Sequence, residues 1–188
     1  MATKVEEIKS DADERMGKSV EVLQNTFGRL RTGRANPRLL DGIEVAYYGT
    51  LTPLNQVATI NVEDARTLAI SPWEKNLIPE IEKAILKSDI GITPSASSDL
   101  VRVPLPALTE ENRRDLAKQA KHEAENARVA IRNIRRDAIH EVRELGKERE
   151  IPEDDEHRAE DDVQKLTDKR ISEVDKILAT KEADLMEI

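Results

Sequence analysis

Three stretches of this chain repeat an apolar residue every three or four positions, the spacing of a helix with one buried face. In the first, Val5, Ile8, Ala12, Met16, Val20, Leu23, Phe27 and Leu30 step by 3, 4, 4, 4, 3, 4 and 3, so all eight share a side. In the second, Leu116, Ala120, Ala124, Ala127, Ile131, Ile134, Ala138, Val142 and Leu145 step by 4, 4, 3, 4, 3, 4, 4 and 3. Thr109 is the natural N-cap of that run, and Glu110 and Glu111 suit the positive end of its dipole. A helix over 109–149 would be roughly 60 Å long. Pro152 breaks the run and suits the first turn of a third helix. That helix carries Ala159, Val163, Leu166, Val174, Ile177 and Leu185, with Ile171 and Leu178 beside the stripe, and its pattern slips near Arg170. No one-sided helix can bury its own stripe, so the three are expected to pack as an elongated three-helix bundle.

Between the first helix and the second the texture changes. Seven of the eight prolines and five of the seven glycines fall between residues 28 and 106, among short runs punctuated by turns. Ile43–Tyr48 alternates and stops at Gly49, as a strand does, and Val57–Val62 and Thr67–Ser71 are further strand-like runs. Ile78, Ile81 and Ile85 return to helical spacing in a segment ending near Ser88. Ile92–Thr93 and Leu100–Val103 read as short strands around a loop at Ser95–Asp99. The fold class expected is α+β: a discontinuous bundle of residues 1–30 and 107–188, with a small β/α/β domain, residues 31–106, inserted in it. Two chain segments crossing at one place make a hinge, because few contacts span such a boundary. The entering segment is Arg31, Thr32, Gly33, Arg34 and Ala35, and the leaving one is Val103, Pro104, Leu105 and Pro106. Gly33 frees φ on one side and the two prolines fix it on the other.

Charge supplies the next constraint. Charged residues make up 36% of the chain, which is compatible with order only because the apolar periodicity is so sustained. The net charge of −8 argues at first sight against nucleic acid, but its distribution does not. Residues 150–162 hold eight acids against Arg158 alone, leaving the rest close to neutral. Two windows contain no acid at all: 28–40, with Arg29, Arg31, Arg34 and Arg38, and 126–136, with Arg128, Arg132, Arg135 and Arg136. Local potential, not the global sum, steers a phosphate backbone. The absence of cysteine excludes disulfides, thiolate metal sites and a cysteine nucleophile, and suits a reducing cytosol. The acidic start does not read as a signal peptide, and no apolar run approaches the roughly 20 residues of a membrane span.

The other motifs carry no chemistry. Gly28 to Gly33 has the glycine spacing of a P-loop. Arg34 replaces the phosphate-binding lysine, however, Ala35 lacks the metal-binding hydroxyl, and a helix precedes the motif where a strand should. His122, His140 and His157 are scattered, and the acidic run lacks the alternating ligands and central glycine of a calcium loop. No cofactor, metal, small-molecule substrate or catalytic constellation is expected. Arg128, Arg132 and Arg135 step by 4 and 3 into a stripe beside the apolar one, with Arg136 next to it. One reading is an ordinary charged face neutralised by acids of the third helix. The other is contact with folded RNA through backbone and shape, since arginine forks suit phosphate and aromatics are only 2% of the chain. A helical scaffold that binds protein would instead leave an apolar stripe exposed, and an enzyme would need a polar pocket in the middle domain.

Several longer motifs carry a family resemblance. Arg31-Thr-Gly-Arg-Ala-Asn-Pro37, Tyr47-Tyr-Gly-Thr-Leu-Thr-Pro-Leu54, Val62-Glu-Asp-Ala-Arg-Thr-Leu68, Val101-Arg-Val-Pro-Leu-Pro106, Ala127-Arg-Val-Ala-Ile-Arg-Asn-Ile-Arg-Arg-Asp137 and Asp161-Asp-Val-Gln-Lys-Leu-Thr-Asp168 resemble the ribosome recycling factor family. The resemblance implies a three-helix bundle hinged to a smaller β/α/β domain in an L shape. It implies a non-enzymatic cytoplasmic factor that binds the post-termination ribosome and, with elongation factor G and that partner's GTP hydrolysis, separates the subunits. It further implies contact between the bundle's arginines and large-subunit rRNA, with Arg132 and Arg135 foremost and Arg128, Arg136, Arg29 and Arg31 behind them. A monomer is expected, because the three apolar stripes can satisfy one another. Pro152 departs from the family, where a capping serine can stand.

Overall fold

The computed structural model describes residues 3–186. Among these described residues four α-helices and six strands follow in the order α1 (Lys4–Arg29), β1 (Glu44–Tyr47), β2 (Thr50–Pro53), β3 (Ala58–Asp64), β4 (Thr67–Pro72), α2 (Ile78–Lys87), β5 (Ser95–Ala96), β6 (Val101–Pro104), α3 (Glu110–Lys147) and α4 (Glu153–Met186). The chain divides into two compact units. One comprises α1 as far as Phe27 with Ala117–Ala183; the other comprises Gly28–Leu116 with the end of α4 from Asp184.

In the helical unit the expected stripes are the core. Ala12, Met16, Val20, Leu23 and Phe27 of α1 are buried, as are Ala120 to Leu145 of α3 at every expected position. Thr109 caps α3, its hydroxyl accepting from the Asn112 amide at 3.1 Å. Pro152 takes the position just before α4, where its carbonyl accepts from the Glu156 amide and no amide is required of it. The slip near Arg170 has a physical explanation. The core-facing positions of α4 run on through Ala159, Val163, Thr167, Val174, Lys181 and Leu185, so two of them are polar and the apolar pattern alone loses the register. Thr167 satisfies its hydroxyl on the Val163 carbonyl at 2.9 Å. Arg170, on the same side, reaches α1, where its Nη2 donates to Asp13 Oδ1 at 2.8 Å. Gly17 makes room for it: a Cβ there would stand 3.2 Å from the same nitrogen.

The second unit holds a β1–β2 hairpin and an antiparallel sheet of order β3-β4-β6-β5. Leu68 and Ile70 of β4 and Val101 and Val103 of β6 face a core completed by Ile78, Ile81 and Ile85 of α2 and by Val45 and Leu54. Two expectations need correction. Thr50–Pro53, not anticipated, is a strand, formed because Tyr48 and Gly49, both at positive φ, turn the chain back on β1. The strand expected at Ile92–Thr93 forms at Ser95–Ala96, since the Ser97 amide donates to the Leu100 carbonyl and closes the turn there.

Candidate nucleic-acid interface

The 126–136 window lies wholly within α3. The apolar stripe fixes which way that helix is turned, and Arg128, Arg132 and Arg135 follow one another along the flank of the buried residues. They are not equivalent. Arg128 Nε and Nη2 both donate to Asp175 Oδ1 of α4, at 3.0 and 2.7 Å, and its Nη1 donates to Glu125 Oε2 at 3.1 Å. Its side chain is only 19% exposed, so it joins two helices and has little left to offer a ligand. Arg132 is 48% exposed and gives only Nη1 to protein, at 3.1 Å from Glu125 Oε1. Its Nε and Nη2 face no protein acceptor among the described residues, leaving most of the guanidinium donors for a ligand. Arg135 has a sequestered Nε without a hydrogen-bond partner. Arg136 is exposed. Among the described residues, neither of these two has a carboxylate within ion-pair distance.

Sequence reasoning missed Glu125 and Asp175. The acid-free window holds, but Glu125 stands one residue before it and spans Arg128 and Arg132 by one helical turn and by two. Those two arginines, Arg132 first, hold the Glu125 carboxyl below the usual glutamate range. The spacing 125, 128, 132 could have disclosed this pairing. Asp175 could not be found that way, because its approach depends on the register of α4 on α3.

Arg29 and Arg31 belong to the other unit. Arg29 is exposed, whereas Arg31 turns inward, its Nη2 donating to the Pro106 carbonyl and its Nε sequestered without a partner. That contact joins the two segments expected to form the hinge. The segments also meet the same turn between β3 and β4: the Ala35 amide donates to the Ala65 carbonyl at 2.7 Å, and the Leu105 amide to the Arg66 carbonyl at 2.6 Å. Val103 and Pro104 are part of β6, opposite Leu68 and Thr67. Among the described residues Thr32 and Gly33 are held only locally, the Thr32 hydroxyl accepting from the Arg34 amide at 3.3 Å.

Among the described residues no cluster of three or more His, Asp or Glu side chains could hold a metal ion. Among the described residues no helix is long and apolar enough to cross a membrane. Fold and site define an α+β protein of two units, a three-helix bundle with an arginine-lined flank and a small sheet domain around α2. The family model for the ribosome recycling factor matches residues 23–186. The ribosome-recycling factor of Saccharophagus degradans is 59% identical over 184 residues, 98% of this chain and 100% of the relative. That of Psychrobacter arcticus is 55% identical over the same shares. A solution structure of the ribosome recycling factor superposes with a TM-score of 0.81 at 39% identity, covering 100% of both chains. Models for the T. thermophilus ribosome recycling factor and the E. coli elongation factor G bound to the E. coli post-termination complex match at 0.70 and 43%, over 98% of this chain and 100% of that one. This chain belongs to the ribosome recycling factor family.

Proposed function

We propose that this protein is a cytoplasmic, non-enzymatic ribosome recycling factor. It binds the post-termination ribosome through large-subunit rRNA and, with elongation factor G, separates the subunits and frees mRNA and tRNA for another round. The observation that carries this reading is the full-length agreement with recycling factors, including one described with elongation factor G on a post-termination complex. GTP hydrolysis belongs to the partner, and this chain supplies an anchor and a movable arm. Arg132, Arg135 and Arg136 carry the anchor, because their guanidinium groups are the least engaged of the α3 series and a planar fork suits phosphate. Arg128 serves the bundle. The rival scaffold reading required an exposed apolar stripe, and the α3 stripe is buried from Ala120 to Leu145.

The proposed hinge is confined to part of the two crossing segments. Ala35 and Leu105 are tied to the β3–β4 turn and Val103 and Pro104 to the sheet, so rotation there would break strand pairing. The proposed pivot therefore lies at Thr32–Gly33 on the way in and from Pro106 on the way out.

Sedimentation with purified ribosomes at two salt concentrations, alongside light scattering of subunit separation with elongation factor G and GTP, tests the reading. Arg132→Ala and Arg135→Ala are each expected to weaken binding and to shallow the slope of log affinity against log salt by about 1. Salt-insensitive binding, unchanged by both substitutions, would place the anchor elsewhere.

A further inference from the structure

Of the three α3 arginines assigned to the anchor, Arg132 alone among the described residues holds a carboxylate. Glu125, Arg128 and Arg132 stand at i, i+3 and i+7 of that helix, so they share one face. The two oxygens of Glu125 are divided between the arginines: Oε1 accepts from Arg132 Nη1 and Oε2 from Arg128 Nη1, both at 3.1 Å. Arg128 is also tied across to α4 by two hydrogen bonds to Asp175 Oδ1, which leaves it little freedom. It moors Glu125, while Arg132, engaged through one nitrogen only, is the looser partner.

The chemistry of this pairing is the same as that of an arginine on RNA. A carboxylate and a phosphodiester each bring one negative charge and a pair of acceptor oxygens to a guanidinium. Glu125 and an RNA phosphate therefore seek the same donor, Arg132 Nη1. The internal hold is a light one, because Arg132 is 48% and Glu125 51% exposed and water screens such a pair. The Glu125 carboxyl is ionised at neutral pH, since the two arginines keep it below the usual glutamate range. Fixed on the Arg128 side, it stays within reach once Arg132 has let go.

We infer that Glu125 is an internal competitor of the RNA phosphate for Arg132. In the free chain it occupies the guanidinium, and on binding a phosphate displaces it. As the phosphate leaves, Glu125, still moored on Arg128, takes the arginine back. The residue thereby exchanges affinity for rapid release, which suits a factor that must leave the ribosome after each round. The inference rests on the ribosome-binding function argued above and adds a regulating residue to it.

The test compares variants of the full chain by sedimentation with purified ribosomes, at one low salt concentration so that weakened variants still bind. Dissociation is followed by chase with unlabelled wild-type chain. Glu125→Gln keeps the size of the side chain and its helix propensity but not its charge. It is expected to bind about two- to fivefold more tightly, the worth of one exposed ion pair, with the gain in slower dissociation. Glu125→Ala removes the acceptor altogether and should gain as much or more, circular dichroism of both being unchanged. The gain should vanish in combination with Arg132→Ala and persist with Arg135→Ala. Unchanged or weaker binding by both variants would mean that Glu125 positions Arg132 and does not compete for it. A gain that survives Arg132→Ala, or that lies in faster association, would be relief of repulsion between Glu125 and RNA at large. Either result overturns the inference and leaves the ribosome reading standing. A wild-type chain that does not pellet with ribosomes overturns that reading, and this inference with it.

Discussion

Arg128 and Arg132 lie one turn apart on the same helix and differ in what surrounds them, which separates their expected behaviour. Removing Arg128 deletes three hydrogen bonds, two of them to α4, so Arg128→Ala should cost about 1 kcal/mol or less in denaturant unfolding. Ribosome affinity should change little. Arg132→Ala should reverse that pattern, with stability unchanged and affinity reduced. Equal losses of affinity from both would mean that the link to Asp175 opens on binding. Glu125 reports on the same pair. Its carboxyl is held below the usual glutamate range chiefly by Arg132 and then by Arg128, so it stays charged under acid that protonates ordinary glutamates. Whatever this clamp adds to stability is present above the unfolded glutamate range and is lost as pH falls through the lowered folded value. A carboxyl-carbon NMR titration should find Glu125 below the usual glutamate range, and Arg132→Ala should move it back up. A midpoint indifferent to that substitution would mean the pairing is absent in solution. From sequence, spacing alone could have supplied the Glu125 contact. Asp175 lies 47 residues from Arg128, and no local pattern reports such a contact.

At the scale of elements, α3 was the most legible, because its stripe is unbroken and its cap is a side chain that donates nothing to chance: Thr109 accepts from Asn112 as expected. Ile131 is fully buried at the middle of that stripe, and Val129 two residues away is 45% exposed. Ile131→Ala should cost about 2–5 kcal/mol in chemical unfolding, and Val129→Ala should stay within about 0.5 kcal/mol. Comparable losses would mean that the helix is turned differently from the periodicity. The α4 helix was harder to read, since Thr167 and Lys181 occupy buried positions and Arg170 reaches across Gly17 to Asp13. A hydropathy pattern registers a polar residue at a core position as a break, although the helix continues. The small strands were harder still. In β2 a proline ends a four-residue run that has no buried alternation, and β5 has two residues, so pairing partners and not side-chain pattern define both.

For the whole molecule, three apolar stripes had to be covered and one of them precedes the insertion, so the bundle had to be discontinuous. The clamp at the insertion could not be foreseen, because it is made by main-chain groups. Ala35 and Leu105 are 70 positions apart and donate to consecutive carbonyls, Ala65 and Arg66, of one turn. Asp64 holds that turn in shape, Oδ1 accepting from the Arg66 amide at 2.8 Å. The hydrogen bonds from the Arg66 amide and from Thr67 depress the Asp64 carboxyl below the usual aspartate range, so this hold persists to acid and fails only as pH falls through that lowered value. Hydrogen exchange should show the Ala35 and Leu105 amides protected together with β4, and the Gly33 amide exchanging fast. Asp64→Ala should then speed exchange at Ala35 and Leu105 in parallel, since both depend on one turn, and leave the Ile131 amide in α3 untouched. If only one of the two amides responded, the entering and leaving segments would be anchored separately, and the proposed pivot would have to be sought on each side independently.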